Sequence, residues 1–295
     1  MKGFKETLED KKILISDGAW GTQLAARGLQ AGDCPERWNL ERPDDVKAVA
    51  AGYVEAGSEI ILTNTFGGSR VKLEKAGLGD KVAEVNRLGA SISKEAAGRA
   101  FVFASVGPTG EFMEPLGTIT EKEIVACFAE QVKALVAGGA DGIVIETMTD
   151  LAEAKAALKA VRECCSLPVV VSMTFESGPG GFATIMGVNP VRAAAELDEA
   201  GPDLVGSNCG SGIQHIIAVA RLMRSSTALP LWVKPNAGVP ELVGGKTVFR
   251  ETPEEMAQHF AELVDAGANV IGGCCGTTPD HISALVAERG SMLKN

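Results

Sequence analysis

The stretch ANVIGGCCGTTPDH, residues 268–281, combines the three parts of a β/α unit. It begins with an apolar run typical of a buried strand, and it ends with Thr-Pro-Asp, in which Pro279 suits the first turn of a helix. Between them lies a glycine-rich turn that carries two adjacent thiols, Cys274 and Cys275. The stretch therefore predicts a strand that leads into a helix through a loop with two cysteines.

The same unit recurs along the whole sequence. Val/Ile-rich runs that predict strands lie at 12–17, 58–64, 101–106, 141–147, 168–174, 203–208, 231–236 and 269–274. Amphipathic patterns that predict helices lie near 43–56, 80–98, 121–138, 150–164, 189–200, 212–225, 253–266 and 279–289. Continuous apolar runs are typical of parallel strands that helices cover on both faces. Eight such units in this length predict an α/β protein with a (β/α)8 TIM barrel.

Helix-start signals agree with these boundaries. Thr120 and Thr252 each precede a glutamate by three positions, which is the spacing of a capping box, and Pro190 and Pro253 fall in predicted first turns. The sequence contains no linker or low-complexity tract. We therefore predict a single domain that covers residues 1–295.

The composition favours a soluble protein with a small-molecule partner. The 295 residues are 45% hydrophobic and 22% charged, with a net charge of -10 and no run of Lys or Arg, which argues against binding to nucleic acid or to an anionic membrane. No apolar run approaches the ~18 residues of a membrane span, and the first residues do not resemble a signal peptide. We expect a cytoplasmic protein. Its seven cysteines would then stay reduced, and a cluster among them would bind metal or take part in catalysis.

Polar and glycine-rich segments follow the predicted strands at one end. In (β/α)8 barrels the chemistry lies at the carboxyl ends of the strands. The segments at those ends here are 17–22, 63–68, 107–110, 146–150, 174, 208–210, 235–238 and 273–276. Cys209 follows the sixth strand and the cysteine pair follows the eighth, so we expect all three thiols to meet at the barrel mouth.

Three thiols at one position predict a catalytic metal site. Catalytic zinc has three protein ligands and an open fourth position, whereas structural zinc has four. We predict Zn²⁺ bound by Cys209, Cys274 and Cys275. The three histidines lie in predicted helices rather than at strand ends, and are not expected to be ligands.

An all-sulfur site favours thiol chemistry over hydrolysis. Three thiolates make zinc a weak Lewis acid for activating water, but the metal still binds and deprotonates an incoming thiol. A thiolate held in this way is a nucleophile for alkyl transfer. Metal-dependent hydrolysis is the weaker alternative because such sites use His and carboxylate ligands.

Several residues near the cysteines are candidate substrate contacts. Asp17 and Glu146 end apolar strands, where they would bind the ammonium group of an amino-acid substrate, cap helices, or pair with a Lys or Arg of the barrel. The glycine-rich turn after the first strand would offer N–H groups to the substrate carboxylate. The predicted substrate-binding residues are Asp17, Gly18, Trp20, Thr65, Glu146 and Asn236; packing is the alternative for Trp20 and turn formation for Asn236.

Seven motifs, in this order, resemble the homocysteine S-methyltransferase family. They are LISDGAWGTQL, EIILTNTFGG, SVGPTG, GIVIETMTD, SNCG, KPNAGVP and GGCCGTTPDH, and they are most similar to the homocysteine-binding barrel of cobalamin-dependent methionine synthases. The resemblance covers roughly residues 12–290. It implies a zinc barrel that binds homocysteine as a thiolate and methylates it to methionine, with the zinc ligands at Cys209, Cys274 and Cys275. It also implies that Asp17 and Glu146 lie near the amino group of homocysteine, and that Asn236 lies close to the metal.

These motifs do not identify the methyl donor. No Asp-x-His-x-x-Gly signature of a cobalamin module is present, so the methyl group is expected to come from outside the barrel. We expect a separate methyl-corrinoid protein as the donor. The alternatives are a betaine or S-methylmethionine, or a non-catalytic subunit that binds thiol and zinc for a methyl-transfer system.

Overall fold

Eight parallel strands form one sheet in the computed structural model of the chain, which describes residues 2–244 and 246–292. In chain order the strands are β1 (Leu14–Ile15), β2 (Ile60–Ile61), β3 (Phe101–Val106), β4 (Gly142–Met148), β5 (Val169–Met173), β6 (Glu176–Gly178), β7 (Gly181–Ala183), β8 (Leu204–Cys209), β9 (Leu231–Pro235), β10 (Glu241–Val243), β11 (Lys246–Val248) and β12 (Ala268–Ile271). The large sheet has the order β1-β12-β9-β8-β5-β4-β3-β2. A parallel bridge between Ser16 and Ile60 joins its two edges and closes the barrel. The predicted fold class is confirmed.

Helices follow the barrel strands and cover them. They are α1 (Phe4–Lys11), α2 (Trp20–Ala26), α3 (Trp38–Glu41), α4 (Pro43–Glu55), α5 (Arg70–Lys75), α6 (Val82–Ala96), α7 (Glu121–Ala137), α8 (Leu151–Cys164), α9 (Pro190–Ala200), α10 (Ile213–Arg224), α11 (Pro253–Ala257), α12 (Phe260–Asp265) and α13 (Pro279–Met292), with 3-10 turns at Pro35–Arg37 and Gly79–Lys81. Both predicted capping boxes are present, at Thr120 and Thr252. The helix predicted over 253–266 is interrupted between α11 and α12. The short helices α1, α2, α3 and α5 were not predicted.

The first two barrel strands are shorter than predicted because side chains replace the backbone ladder beyond them. The Leu62 N–H donates to the Asp17 carboxylate at 2.7 Å, and the Ser105 N–H donates to the Thr63 hydroxyl at 3.0 Å. The residues just beyond β1 and β2, which the sequence predicts to be strand, therefore form the first polar layer at the carboxyl end of the barrel.

The last barrel strand also ends early, at Ile271, and the reason lies in the glycines that follow it. The Gly273 N–H donates to the Asp17 carbonyl on the β1 side, whereas the Cys274 N–H donates to the Pro235 carbonyl of β9. The chain thus alternates between its two neighbouring strands instead of continuing along one ladder. This crossing brings the cysteine pair over the barrel mouth.

Two layers of packed apolar side chains stabilise the barrel. The outer layer lies between the strands and the helices, and the inner layer fills the barrel with side chains such as Phe103, Val144 and Trp232. Phe4 and Leu8 of α1 pack into the inner layer, with the Phe4 and Phe103 ring centroids 4.7 Å apart. Helix α1 therefore closes the amino end of the barrel and leaves only the carboxyl end open.

Two antiparallel hairpins extend the loops at the carboxyl end. Strands β6 and β7 pair after β5, and β10 and β11 pair after β9. No helix in the described residues is both long and apolar enough to cross a bilayer. The predicted domain spans residues 1–295, of which positions 1, 245 and 293–295 lie outside the described residues; its extent stays a prediction.

Candidate active site

A cavity of about 840 Å³ opens at the carboxyl end of the barrel. Residues on or directly after seven of the eight barrel strands line it, including Gly18, Trp20, Glu146, Lys234 and the three cysteines Cys209, Cys274 and Cys275. Residues 32–37 also line it, together with Lys72, Lys75 and Ala76. The cavity is therefore where the barrel architecture places a substrate.

The three predicted metal ligands lie together in this cavity. The Sγ atoms of Cys209 and Cys274 are 3.1 Å apart, and all three sulfurs lie within 4.8 Å of one another. Cys209 ends β8 with a φ of 67°, a left-handed conformation that is uncommon outside glycine and that turns its side chain away from the strand direction. The structure thus brings together thiols that are separated by 65 positions in the sequence.

The loop after β12 is packed so tightly that it presents both of its cysteines to the cavity. A Cβ atom on Gly273 would lie 2.4 Å from the Thr277 hydroxyl, so only glycine fits there. The Thr277 hydroxyl in turn donates to the Cys274 carbonyl at 2.7 Å. Because the backbone turns here, consecutive side chains need not point to opposite faces as they do in a strand.

Asn208 connects the cysteines to the neighbouring strands. Its Nδ2 donates to the Cys209 sulfur at 3.3 Å, to the Cys274 sulfur at 3.8 Å and to the Thr147 hydroxyl at 2.7 Å. Its Oδ1 accepts from the Thr147 N–H and from the Ser172 hydroxyl. The amide is fixed in orientation and stabilises negative charge on sulfur. The sequence carried a signal for this role, since Asn208 directly precedes the first cysteine of the cluster.

The thiols of the cluster differ in pKa. Hydrogen bonds from the thiols of Cys209 and Cys274 lower the pKa of Cys275 to about 3. The hydrogen bond with Cys274 raises the pKa of Cys209 well above its ordinary value. Within the cluster, hydrogen bonding therefore favours the thiolate form of Cys275 over those of Cys209 and Cys274.

Asp17 and Lys234 form a buried ion pair below the cysteines. The Lys234 Nζ lies 2.6 Å from Asp17 Oδ1, and the two side chains are 2% and 0% exposed. Burial acts to lower the pKa of Lys234, but the carboxylates of Asp17 and Glu146 outweigh it and raise that pKa above its ordinary value. Of the alternatives for Asp17, the structure shows pairing with a barrel lysine.

Sequence reasoning did not single out Lys234. The available signal was the strand period: Trp232 fills the barrel interior, and a residue two positions later on the same strand faces the same side. A lysine at such a position is buried and needs a partner.

Glu146 lies two residues before the end of β4 and lines the cavity. Its carboxylate accepts a hydrogen bond from the Ser105 hydroxyl and is 8% exposed. Burial raises the pKa of Glu146 to about 7, although the Lys234 ammonium acts in the opposite direction. Close to neutral pH the group is therefore poised between its charged and neutral forms.

The other predicted substrate residues divide into two groups. Gly18 and Trp20 line the cavity, and the Trp20 Nε1 donates to the Asp17 carboxylate at 2.8 Å. Thr65 and Asn236 are buried and are not among the described residues that line the cavity. The Thr65 hydroxyl donates to the Ser105 carbonyl, and the Asn236 Nδ2 donates to the Gly210 carbonyl. Their contact with a substrate stays a prediction.

The histidines are placed away from the sulfur cluster, as the sequence suggested. His215 lies in α10 and His281 in α13, while His259 lies at the break before α12. None of them is among the described residues that line the cavity.

Comparison with known proteins identifies a family. The model of the family described as homocysteine S-methyltransferase matches residues 14–289. Methionine synthase of Mycobacterium leprae is 31% identical over 301 residues, which cover 96% of this chain and 24% of that protein. Methionine synthase of Mycobacterium tuberculosis is 30% identical, with 96% and 25% covered. The chain thus spans about a quarter of the length of these curated relatives.

Solved structures share the fold. The metallated form of the homocysteine methyltransferase MmuM from Escherichia coli superposes with a TM-score of 0.80 at 24% identity, covering 96% of this chain and 98% of that one. The apo form of the same enzyme gives a TM-score of 0.74 at 25% identity, with 95% and 97% covered. The similarity runs over the whole barrel.

Proposed function

The chain belongs to the homocysteine S-methyltransferase family, and from this we propose that it transfers a methyl group to the sulfur of homocysteine and forms methionine. The observation that carries the proposal is the cluster of three sulfurs within 4.8 Å of one another in the open cavity. A thiol substrate needs such a site because its sulfur must lose a proton before it can attack a methyl carbon.

The donor set fits Zn²⁺. All three candidate ligands are soft sulfur atoms, and the histidines and carboxylates that other catalytic zinc sites use are absent from the cluster among the described residues. When bound, the zinc would supply a Lewis acid on which the substrate thiol loses its proton at neutral pH. We propose Cys209, Cys274 and Cys275 as its ligands.

The residues around the cluster have separate tasks in this proposal. Asn208 donates to two of the sulfurs and keeps them oriented toward the cavity. Glu146 lies near enough to Cys275 to influence its charge, and in its ionised form it accepts a hydrogen bond from the substrate ammonium.

The methyl group comes from a second molecule in this proposal. The new bond forms between the substrate sulfur and the methyl carbon while the bond from that carbon to the donor breaks, and the donor keeps the electron pair. A cavity of about 840 Å³ is much larger than one amino acid, so a donor group can enter beside the substrate. Similarity to methionine synthases favours a separate methyl-corrinoid protein over a betaine or S-methylmethionine.

A donor panel tests the function. The zinc-loaded protein is incubated with homocysteine and with methylcobalamin, a betaine or S-methylmethionine, and the methionine formed is measured. We expect methionine from methylcobalamin, and none from a Cys275→Ala variant. Cys127→Ala is the matched control because Cys127 lies on α7, outside the cavity-lining residues.

The panel also separates the alternatives. Methionine formed only from a betaine or S-methylmethionine would identify a different donor class. A protein that binds zinc and homocysteine but forms no methionine with any of the three donors would be a thiol-binding subunit instead of the enzyme.

A further inference from the structure

Each of the two turns that carry the clustered cysteines continues with a glycine in the left-handed conformation. Gly210 follows Cys209 with a φ of 75°, and Gly276 follows Cys275 with a φ of 83°. Cys209 itself has a φ of 67°, which is unfavourable for a residue with a side chain and persists only where the surroundings hold it. The directions of these two cysteine side chains therefore depend on what packs against the turns.

The ring of His215, on α10, packs against the first turn. A Cβ atom on Gly210 would lie 2.5 Å from the His215 Cδ2 atom, so the ring occupies the space that a side chain would need. His215 is 9% exposed, and its Nδ1 lies 3.3 Å from the Ser211 hydroxyl. The ring thus contacts the two residues that directly follow Cys209.

The same ring is joined to the β6–β7 hairpin. Its Nε2 donates a hydrogen bond to the carbonyl of Phe175, which directly precedes β6, at 3.0 Å. The ring of Phe182, in β7, meets it edge-on with the ring centroids 4.9 Å apart. Because a carbonyl only accepts, Nε2 carries the proton of the neutral ring and Nδ1 accepts from the Ser211 hydroxyl. His215 therefore connects the turn after Cys209 to both strands of a hairpin.

A second aromatic ring, Phe249, packs against the turn that carries Cys275. A Cβ atom on Gly276 would clash with the Phe249 ring. Phe249 directly follows β11, so it belongs to the base of the β10–β11 hairpin. Two backbone hydrogen bonds join the same parts of the chain, because the Ala237 N–H donates to the Cys275 carbonyl at 2.9 Å and the Glu251 N–H donates to the Ala237 carbonyl at 3.2 Å. The second hairpin thus rests on the second cysteine turn.

We propose that His215 and Phe249 are positioning residues of the metal site, and that each holds a cysteine ligand in place by filling the space beside the glycine that follows it. Neither residue is among the described residues that line the cavity, so each acts through a ligand and not on the substrate. These roles rest on the proposed function, because they concern the ligands of the same zinc site.

Coupling between the hairpins and the metal is reciprocal. If each ring transmits the position of its hairpin to a cysteine ligand, bound zinc in turn restrains the two hairpins. Zinc should therefore slow hydrogen exchange of the amides in the β6–β7 and β10–β11 hairpins by roughly threefold or more. Exchange in α1, at the closed end of the barrel, should not change.

Zinc affinity, measured by competition with a chromophoric chelator, tests the two roles. We expect His215→Ala and Phe249→Ala to bind zinc roughly tenfold more weakly than the wild type, or worse, because the turns can then relax. His215→Gln keeps a side-chain N–H for the Phe175 carbonyl, and Phe249→Tyr keeps the ring. Both conservative variants should bind zinc within about threefold of the wild type.

Phe128→Leu is the matched control for a loss of stability alone. Phe128 is a fully buried ring on α7, outside the two turns and the two hairpins. The substitution should lower the urea stability of the metal-free protein and leave the zinc affinity unchanged. An equal loss of zinc affinity in Phe128→Leu would overturn the proposed roles, since any destabilisation would then weaken the site.

Two further results would also overturn these roles and leave the proposed function in place. One is an alanine variant that binds zinc within about threefold of the wild type, which would remove that ring from the proposal. The other is hairpin exchange that zinc does not slow in the wild type, a measurement that needs no variant to fold. A wild type that binds no zinc would instead refute the proposed function, and the positioning roles with it.

Discussion

The sulfur atoms of Cys209, Cys274 and Cys275 form one hydrogen-bonded group, with the lowest pKa, about 3, at Cys275. A metal that binds all three sulfurs as thiolates displaces the protons that they share. A variant that lacks one of the cysteines offers the metal only two protein ligands. We predict that Cys209→Ala, Cys274→Ala or Cys275→Ala lowers the zinc content from about one per chain to less than about a tenth. Elemental analysis of protein purified without chelator measures it, with Cys127→Ala as the control that keeps its zinc. Full zinc content in Cys275→Ala would remove that residue from the ligand set.

Glu146 makes the free energy of unfolding of the metal-free protein depend on pH. The unfolded chain ionises this carboxyl near its ordinary pKa of 4.5, whereas burial keeps it protonated in the folded protein up to a pKa of about 7. Because the unfolded state loses the proton first, the free energy of unfolding falls between about pH 4.5 and pH 7, by roughly 3 kcal/mol, and then levels off. Glu146→Gln should lack this contribution. Urea unfolding of both proteins from pH 5 to pH 8 measures it, and parallel curves would contradict the assignment.

At the scale of elements, the turn between β1 and α2 depends on close packing against the loop after β12. A Cβ atom on Gly18 would lie 2.7 Å from the Thr277 hydroxyl and 2.8 Å from the Tyr53 ring, whereas one on Gly21 would meet nothing within 4 Å. We predict that Gly18→Ala lowers the free energy of unfolding by about 1–3 kcal/mol through overpacking.

Gly21→Ala is the matched control for this turn. It lies in α2, where alanine is the better helix former, and we expect a change within about 1 kcal/mol on the stabilising side. Equal stability of the two variants in denaturant unfolding would show that the turn relaxes without cost.

For the whole molecule, the proposed metal site would join the end of β8 to the loop after β12 and should contribute to stability. A ligand that binds only the folded state at 100 times its dissociation constant adds about 2.7 kcal/mol. We predict that a chelator lowers the melting temperature of the zinc-loaded protein by roughly 5 °C or more. The Cys209→Ala variant should melt at the same temperature with and without chelator. A wild type that is insensitive to chelator after verified zinc loss would contradict this prediction.

The barrel and the position of its thiols could be predicted because both depend on local pattern. Val/Ile-rich runs fix the strands, and the carboxyl-end rule then places Cys209 beside the Cys274–Cys275 pair. The ends of β1, β2 and β12 could not be predicted, because side chains such as Asp17 take over their backbone hydrogen bonds only in the folded structure.

The remaining features depend on contacts between distant parts of the chain. Lys234 pairs with Asp17 across 217 positions, and no local pattern relates two residues so far apart. Helix α1 is a charged segment in which only Phe4 and Leu8 are buried. It closes the amino end of the barrel because these two residues pack against aromatic side chains of the barrel interior, which come from distant parts of the sequence. Pairing of this kind appears only when the barrel closes.

The position of β12 in the barrel has a consequence for biosynthesis. This strand joins β1 to β9, and two of the three clustered thiols follow it directly. A nascent chain that has not yet passed Gly273 contains only Cys209 of these three thiols. Under the proposed function, zinc would therefore bind only after synthesis has reached the last barrel strand, and its binding would distinguish a completed barrel from one still on the ribosome.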